Sequence, residues 1–196
     1  MKKLFLILFS FLIVILSEGN ACTGVLLKAK DGSTVHGRTL EFGTLLPTTV
    51  AVVPRGYPFT GTTISGDGLK YVAKYASVGA YLFDKVSLLD GMNEKGLSVG
   101  TFFFPGFAEY TPLTKENQQK ALSPSEFPNW LLSQFTTVGE VKSALSSVII
   151  VPTIEAGWGK SPPPFHYIVY DKTGGCIVIE PVHGKLVTYE NTLGVL

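Results

Sequence analysis

The stretch Cys22-Thr23-Gly24-Val25-Leu26-Leu27-Lys28-Ala29-Lys30-Asp31-Gly32-Ser33-Thr34-Val35-His36-Gly37-Arg38-Thr39-Leu40-Glu41-Phe42 reads as two strands around a turn. Thr23 to Lys30 is apolar and strand-like, Asp31-Gly32 is a turn dipeptide, and Thr34 to Phe42 returns as the hairpin partner. The hairpin opens on a cysteine, and the residues before it give that cysteine its interest. Lys2 and Lys3 lead an apolar run from Leu4 to Leu16 broken only by Ser10, and the segment ends Gly19-Asn20-Ala21. A basic start, an apolar middle and small residues before the cut are the pattern of a secretory signal. Cleavage after Ala21 would leave Cys22 with a thiol and a free α-amine on one residue. An α-amine of pKa about 7.7–8.0 is a usable general base near neutral pH.

The apolar run is shorter than the roughly 20 residues of an ordinary spanning helix. A competing reading makes Cys22 the acylated anchor of a lipoprotein. Such sites usually carry Leu three residues before the cysteine, where this chain has Gly19. The expectation is therefore a leader over residues 1–21, export to the periplasm or beyond, and one domain over 22–196.

That mature segment is long enough for a single domain with its own core. The whole chain is 45% apolar, 12% aromatic and 16% charged, with a net charge of +1. Lys and Arg are scattered, so nothing points to nucleic acid or an anionic membrane surface. The two cysteines, Cys22 and Cys176, could pair in an exported protein. A bridge would consume the nucleophile, and Cys176 feeds an apolar strand, where a buried free thiol fits better.

Beyond the hairpin the chain reads mainly as short strands. These are expected at Thr48–Pro54, Tyr71–Ala80, Leu82–Leu89, Leu97–Phe104, Phe165–Tyr170, Cys176–Glu180 and Lys185–Tyr189. Residues 56–68, rich in Gly and Thr, read as loop, and Asp90 to Gly96 as a turn. Ser123-Pro124-Ser125-Glu126 has the form of a helix start with a capping box, and Thr137-Val138-Gly139-Glu140 starts a second helix. Strands, two helices, then strands again indicate an α+β layered domain. Thr192 to Leu196 looks like the beginning of a further strand with no visible partner.

A cysteine nucleophile needs a base, an oxyanion site and an orienting group. His36, His166 and His183 lack a neighbour pattern for a triad or a metal site and read as structural or surface residues. Arg38, on the strand facing Cys22, could favour a thiolate by its charge or could be a surface cation on a hairpin.

Cys22-Thr23-Gly24, Gly37-Arg38-Thr39-Leu40-Glu41-Phe42 and Asp90-Gly91-Met92-Asn93-Glu94-Lys95-Gly96-Leu97 together resemble the choloylglycine hydrolase family, which includes bile salt hydrolases and penicillin V acylases. Phe102-Phe103-Phe104-Pro105-Gly106-Phe107, Leu122-Ser123-Pro124, and His166 to Asp171 leading to Ile179-Glu180-Pro181 agree in order. The resemblance implies an αββα N-terminal nucleophile hydrolase sandwich and hydrolysis of a non-peptide C–N amide bond, with no metal or organic cofactor. It implies Cys22 as nucleophile, Arg38 as its support, Glu41 at the position of an acidic residue, and the backbone N–H of Asn93 as an oxyanion donor. The implied partner is a small amide with an apolar acyl group, such as a conjugated bile acid, penicillin V or an N-acyl amide. A homo-oligomer is compatible, and Phe59, Phe104 and Phe107 are candidates to line the acyl pocket. Family members continue past the equivalent of Leu196 with a second oxyanion donor and more sheet. The chain is therefore expected to be the N-terminal portion of such an enzyme, incomplete at its C-terminus and poor in turnover. An inactive remnant is the second alternative beside the lipoprotein.

Overall fold

The computed structural model describes residues 22–43, 45–82, 87–155 and 157–196. The expected leader, and residues 83–86 of the expected strand Leu82–Leu89, lie outside the described residues. In chain order the elements are β1 (Gly24–Lys28), β2 (Thr34–Arg38), β3 (Thr48–Val53), β4 (Pro58–Thr63), β5 (Gly66–Val72), β6 (Ser77–Leu82), β7 (Ser87–Asn93), β8 (Ser98–Phe103), β9 (Ala121–Leu122), α1 (Phe127–Gln134), α2 (Val138–Ala144), β10 (Ile149–Ile150), β11 (Phe165–Tyr170), β12 (Cys176–Val182) and β13 (Lys185–Glu190).

Seven strands form the main sheet in the order β13-β12-β11-β8-β7-β6-β3, every pair antiparallel. Alternation along each strand builds two cores. Tyr167 and Val169 of β11 and Ile177 and Ile179 of β12 face one side, where they pack with Leu131 and Leu132 of α1. Ile168, Tyr170, Cys176 and Val178 face the other side with Phe102, and Cys22, Leu26 and Leu196 pack onto them. Burial on both faces is why β11 and β12 read as near-continuous apolar runs. The described layers are thus helices, main sheet and a small second sheet, an α+β arrangement.

The second sheet is the β1–β2 hairpin, in which Gly24 pairs with Arg38 and Leu26 with His36. The final segment pairs with the other side of β1. Val195 bridges Val25, Gly24 N–H donates to Leu196 O at 3.1 Å, and Leu26 N–H donates to Gly194 O at 2.6 Å. This corrects the expectation that the last apolar residues lack a partner.

Residues 56–68 are not a loop but the β4–β5 hairpin. Its glycines permit close packing on β9. A Cβ on Gly61 or Gly68 would lie 2.5 or 2.3 Å from Ala121 O, so these positions serve backbone approach and not loop flexibility. The Asp90–Asn93 segment likewise continues as strand β7, and the turn begins only at Glu94. A bulge lies in β7: Ala80 pairs with Asp90 but Tyr81 pairs with Leu88.

Helix α1 starts four residues after Ser123. The Glu126 carboxylate still reaches back, accepting from Ser123 N–H at 2.9 Å and from Thr62 N–H at 2.9 Å, which ties the helix entrance to β4. At α2 the capping box is complete: Thr137 Oγ1 accepts from Glu140 N–H at 3.2 Å and the Glu140 carboxylate accepts from Thr137 N–H at 3.3 Å.

Candidate active site

The hairpin sets the site. By the Gly24–Arg38 and Leu26–His36 register, Gly24, Leu26, His36 and Arg38 share its inner face, and Cys22 packs against the same inner cluster. Cys22 and Arg38 are therefore diagonal cross-strand neighbours, a relation that places residues roughly 7–8 Å apart. Thr23 N–H donates to Thr39 Oγ1 at 3.0 Å and Thr39 N–H to Thr23 O at 2.9 Å, which extends the pairing to the edge of Cys22. Cys22 is half-buried and is a free thiol whose Sγ donates to the Glu41 carbonyl at 3.7 Å.

Arg38 is drawn inward rather than outward. Its guanidinium Nη1 donates to Asp90 Oδ2 at 2.9 Å, Asp90 Oδ1 at 3.1 Å and Thr101 O at 2.7 Å, and its Nε donates to Thr39 O at 3.0 Å. Its Cζ lies 4.2 Å from the centre of the Phe102 ring, a cation–π position. The reading as a surface cation is thereby overturned: the side chain is only 10% exposed. Burial outweighs the attraction of Arg38 and pushes the Asp90 carboxyl up to about 6.

Glu41 meets Cys22 through its main-chain carbonyl, while the residue itself is exposed. The resemblance places Glu41 at the position of an acidic residue, and here it touches Cys22 through its backbone. Asn93 is not brought to the cluster. Its N–H is committed to Leu97 O at 2.9 Å. Its side-chain amide donates to Leu132 O at 2.8 Å and Phe135 O at 2.7 Å, and its Oδ1 accepts from Lys95 and Leu97 N–H at 3.0 Å each. Asn93 ties the β7–β8 turn to α1 on the helix side of the sheet, so the expected oxyanion donor is not available there.

Phe59 stacks on Tyr71 and packs against the helix-side core, which removes it from the candidate pocket. Phe104 stacks on His166 at 4.4 Å and touches Phe107, which is 66% exposed. Burial holds His36 and His166 near 4, so both are neutral at pH 7; His183 is exposed and pairs with Glu109. Cys176 is buried and its thiol is pushed up to about 12, in keeping with a small apolar residue.

Asp90, Thr101 and Phe102 are the site residues that sequence reasoning missed. Asp90 stood within a quoted motif but was read as half of an Asp-Gly turn. The signal that could have found it is the need of a strand-borne arginine, aimed at a core, for a carboxylate.

A helix-backed sheet carries on its other face a small sheet, with Cys22 two residues before its first strand and on the same side as the buried Arg38, and the solved structures that superpose on this arrangement place it in the class of N-terminal nucleophile hydrolase folds. The family model of linear amide C–N hydrolases, choloylglycine hydrolase family, matches residues 22–196, and the chain belongs to that family. It is similar to the bile salt hydrolase/transferase of Clostridium perfringens, with 30% identity over 177 residues, covering 89% of this chain and 52% of the relative. It is 33% identical over 129 residues to the penicillin V acylase of Pectobacterium atrosepticum, covering 63% of this chain and 34% of that protein. Among solved structures, a variant of conjugated bile acid hydrolase from Clostridium perfringens superposes with a TM-score of 0.75 over 89% of this chain and 52% of that one. Penicillin V acylase from Agrobacterium tumefaciens gives 0.73 at 26% identity over 89% and 51%. The chain spans about half the length of these bile salt hydrolase and acylase structures.

Proposed function

We propose that this protein hydrolyses linear amide C–N bonds with Cys22 as the nucleophile. The observation that carries the reading is the placement of a half-exposed free thiol at the mouth of the hairpin, on the same inner face as the Arg38–Asp90 pair. Membership in the amide hydrolase family supports the reaction class. The leader-like residues before Cys22 support export and release of its α-amine.

In this account the thiol of Cys22 attacks the amide carbonyl carbon and passes its proton to the α-amine. The carbonyl oxygen becomes an oxyanion. Collapse of the tetrahedral intermediate breaks the C–N bond, and the ammonium form of the α-amine returns the proton to the leaving amine. Water then adds to the thioester with the same amine as base, releasing the acid and restoring the thiol. A donor for the oxyanion must replace Asn93. The β7–β8 ladder pairs Asp90–Met92 with Ser98–Gly100 only, while β8 runs on to Phe103. On that open side the Thr101 carbonyl takes Arg38, and Phe103, two residues on, turns its N–H the same way. Phe103 N–H is the candidate donor.

The relatives named for bile salts and penicillin V favour a substrate with an apolar acyl part, and Phe104 and Phe107 offer aromatic surface for it. The test is to assay the purified protein on penicillin V, glycine-conjugated bile salts and long-chain N-acyl amides, beside Cys22→Ala. Release of amine by the wild type alone supports the reading; amine release by both overturns it.

A further inference from the structure

Arg38 has more donors than partners. Nη1 and Nε are fully engaged, but Nη2 is buried and, among the described residues, no side chain or main-chain group accepts from it. A buried donor on a charged group left without an acceptor is costly. The Tyr170 hydroxyl is a second such atom: among the described residues it too is buried and unpartnered, on a residue only 1% exposed.

Both orphans border the same small region between the sheets, around Gly24 and the Phe102 ring. A Cβ built on Gly24 would lie 2.9 Å from Phe102 Cζ and 3.1 Å from the Tyr170 hydroxyl. Gly24 is the cross-strand partner of Arg38, and Arg38 lies over that same Phe102 ring. The glycine thus leaves open the space into which the tyrosine hydroxyl points, two residues from Cys22. The Tyr170 ring is fixed from behind by His36 at 4.1 Å, whose Nδ1 is 3.3 Å from Ser98 Oγ.

We propose that Tyr170 is a positioning residue: its hydroxyl is joined to Arg38 Nη2 through one bridging water and holds the guanidinium charge beneath Cys22. Asp90 and Thr101 fix one edge of the guanidinium and Tyr170 fixes the other. The inference rests on the reading of Cys22 as nucleophile with Arg38 as its support, but its test needs no turnover.

The test compares alkylation of Cys22 by iodoacetate, an anion, with alkylation by neutral iodoacetamide, read on the Cys22 peptide by mass spectrometry. The ratio of the two rates reports positive charge held near the sulfur. The groups around it are His36 and Arg38 of β2, Glu41 of the segment that follows β2, Asp90 of β7, Tyr170 of β11 and Cys176 of β12, and all comparisons are made at one pH above 7. Tyr170→Phe keeps the ring and is expected to lower the ratio roughly threefold, the size of one unit charge moved from a few ångströms in a water-like dielectric. Arg38→Ala should lower it as far or further, and Tyr170→Phe should then add nothing in the Arg38→Ala background. An unchanged ratio in Tyr170→Phe, or an equal drop in both backgrounds, overturns the proposal. Thermal unfolding supplies a second readout: removal of a partnered hydroxyl lowers the midpoint, whereas a rise identifies an idle hydroxyl and also overturns it.

Discussion

Arg38 reaches from the second sheet into the main sheet to place Nη1 2.9 Å from Asp90 Oδ2, so one ion pair joins the hairpin that carries Cys22 to the strand β7 beneath it. The pair is largely buried, with side-chain exposures of 10% and 25%. Breaking it strands a charge in the interlayer space, which makes it a structural tie as well as an electrostatic feature of the site.

The pH dependence of stability follows from Asp90. Its carboxyl is raised to about 6 in the fold, so the folded state holds this proton more tightly than the unfolded chain. The contribution is most favourable below pH 4 and is lost as pH rises through 6, on the order of 2–3 kcal/mol. Asp90→Asn removes that decline. Urea denaturation of both proteins at pH 4 and pH 7 should show the wild type losing ground relative to the variant; parallel behaviour would exclude this assignment.

Asn93→Ala should behave as a structural lesion. It strips acceptors from Lys95 and Leu97 N–H and donors from Leu132 O and Phe135 O. A loss of about 2–4 kcal/mol is expected for a buried polar network cut in this way. At a temperature where the variant is folded, Cys22 should alkylate within roughly twofold of the wild-type rate, as expected for a residue on the other side of the sheet. A collapse of Cys22 reactivity without loss of stability would return Asn93 to the site.

The two cysteines should separate cleanly. Cys22→Ser should abolish amide hydrolysis, and Cys176→Ser should retain most of it, because Cys176 is 5% exposed with its thiol pushed up to about 12. Equal losses, together with a mapped Cys22–Cys176 disulfide, would reverse the assignment.

Part of the main sheet's second face is not covered by described residues. Val52, Val78 and Met92 align across β3, β6 and β7 and are 70%, 45% and 47% exposed. Val52→Lys should reduce binding of an apolar dye while shifting stability by less than about 0.5 kcal/mol. A large destabilisation would mean that Val52 is packed in solution.

Much of this architecture was legible because alternation and turn residues are local signals. The β1–β2 hairpin, the β11–β12 pair and the Thr137–Glu140 capping box each follow from residues close in sequence. The Gly- and Thr-rich β4–β5 hairpin was hidden because its glycines answer to the distant Ala121 carbonyl. Asp90 was hidden for the same reason: an Asp-Gly pair inside a strand looks like a turn until its partner Arg38, 52 residues earlier, is in view. Asn93 failed in the opposite direction, since a motif match named it while its hydrogen bonds tie it to α1.

The claim that Cys22 is the nucleophile is tested most directly by trapping the thioester. The protein is mixed with penicillin V or a glycine-conjugated bile salt, quenched in acid, digested, and the Cys22 peptide is weighed. The account predicts an acyl group on Cys22 with an equal amount of amine released, and no adduct on Cys176. Amine release with Cys22 unmodified at every quench time and retained in Cys22→Ala, or an acyl group found on another residue, would contradict it.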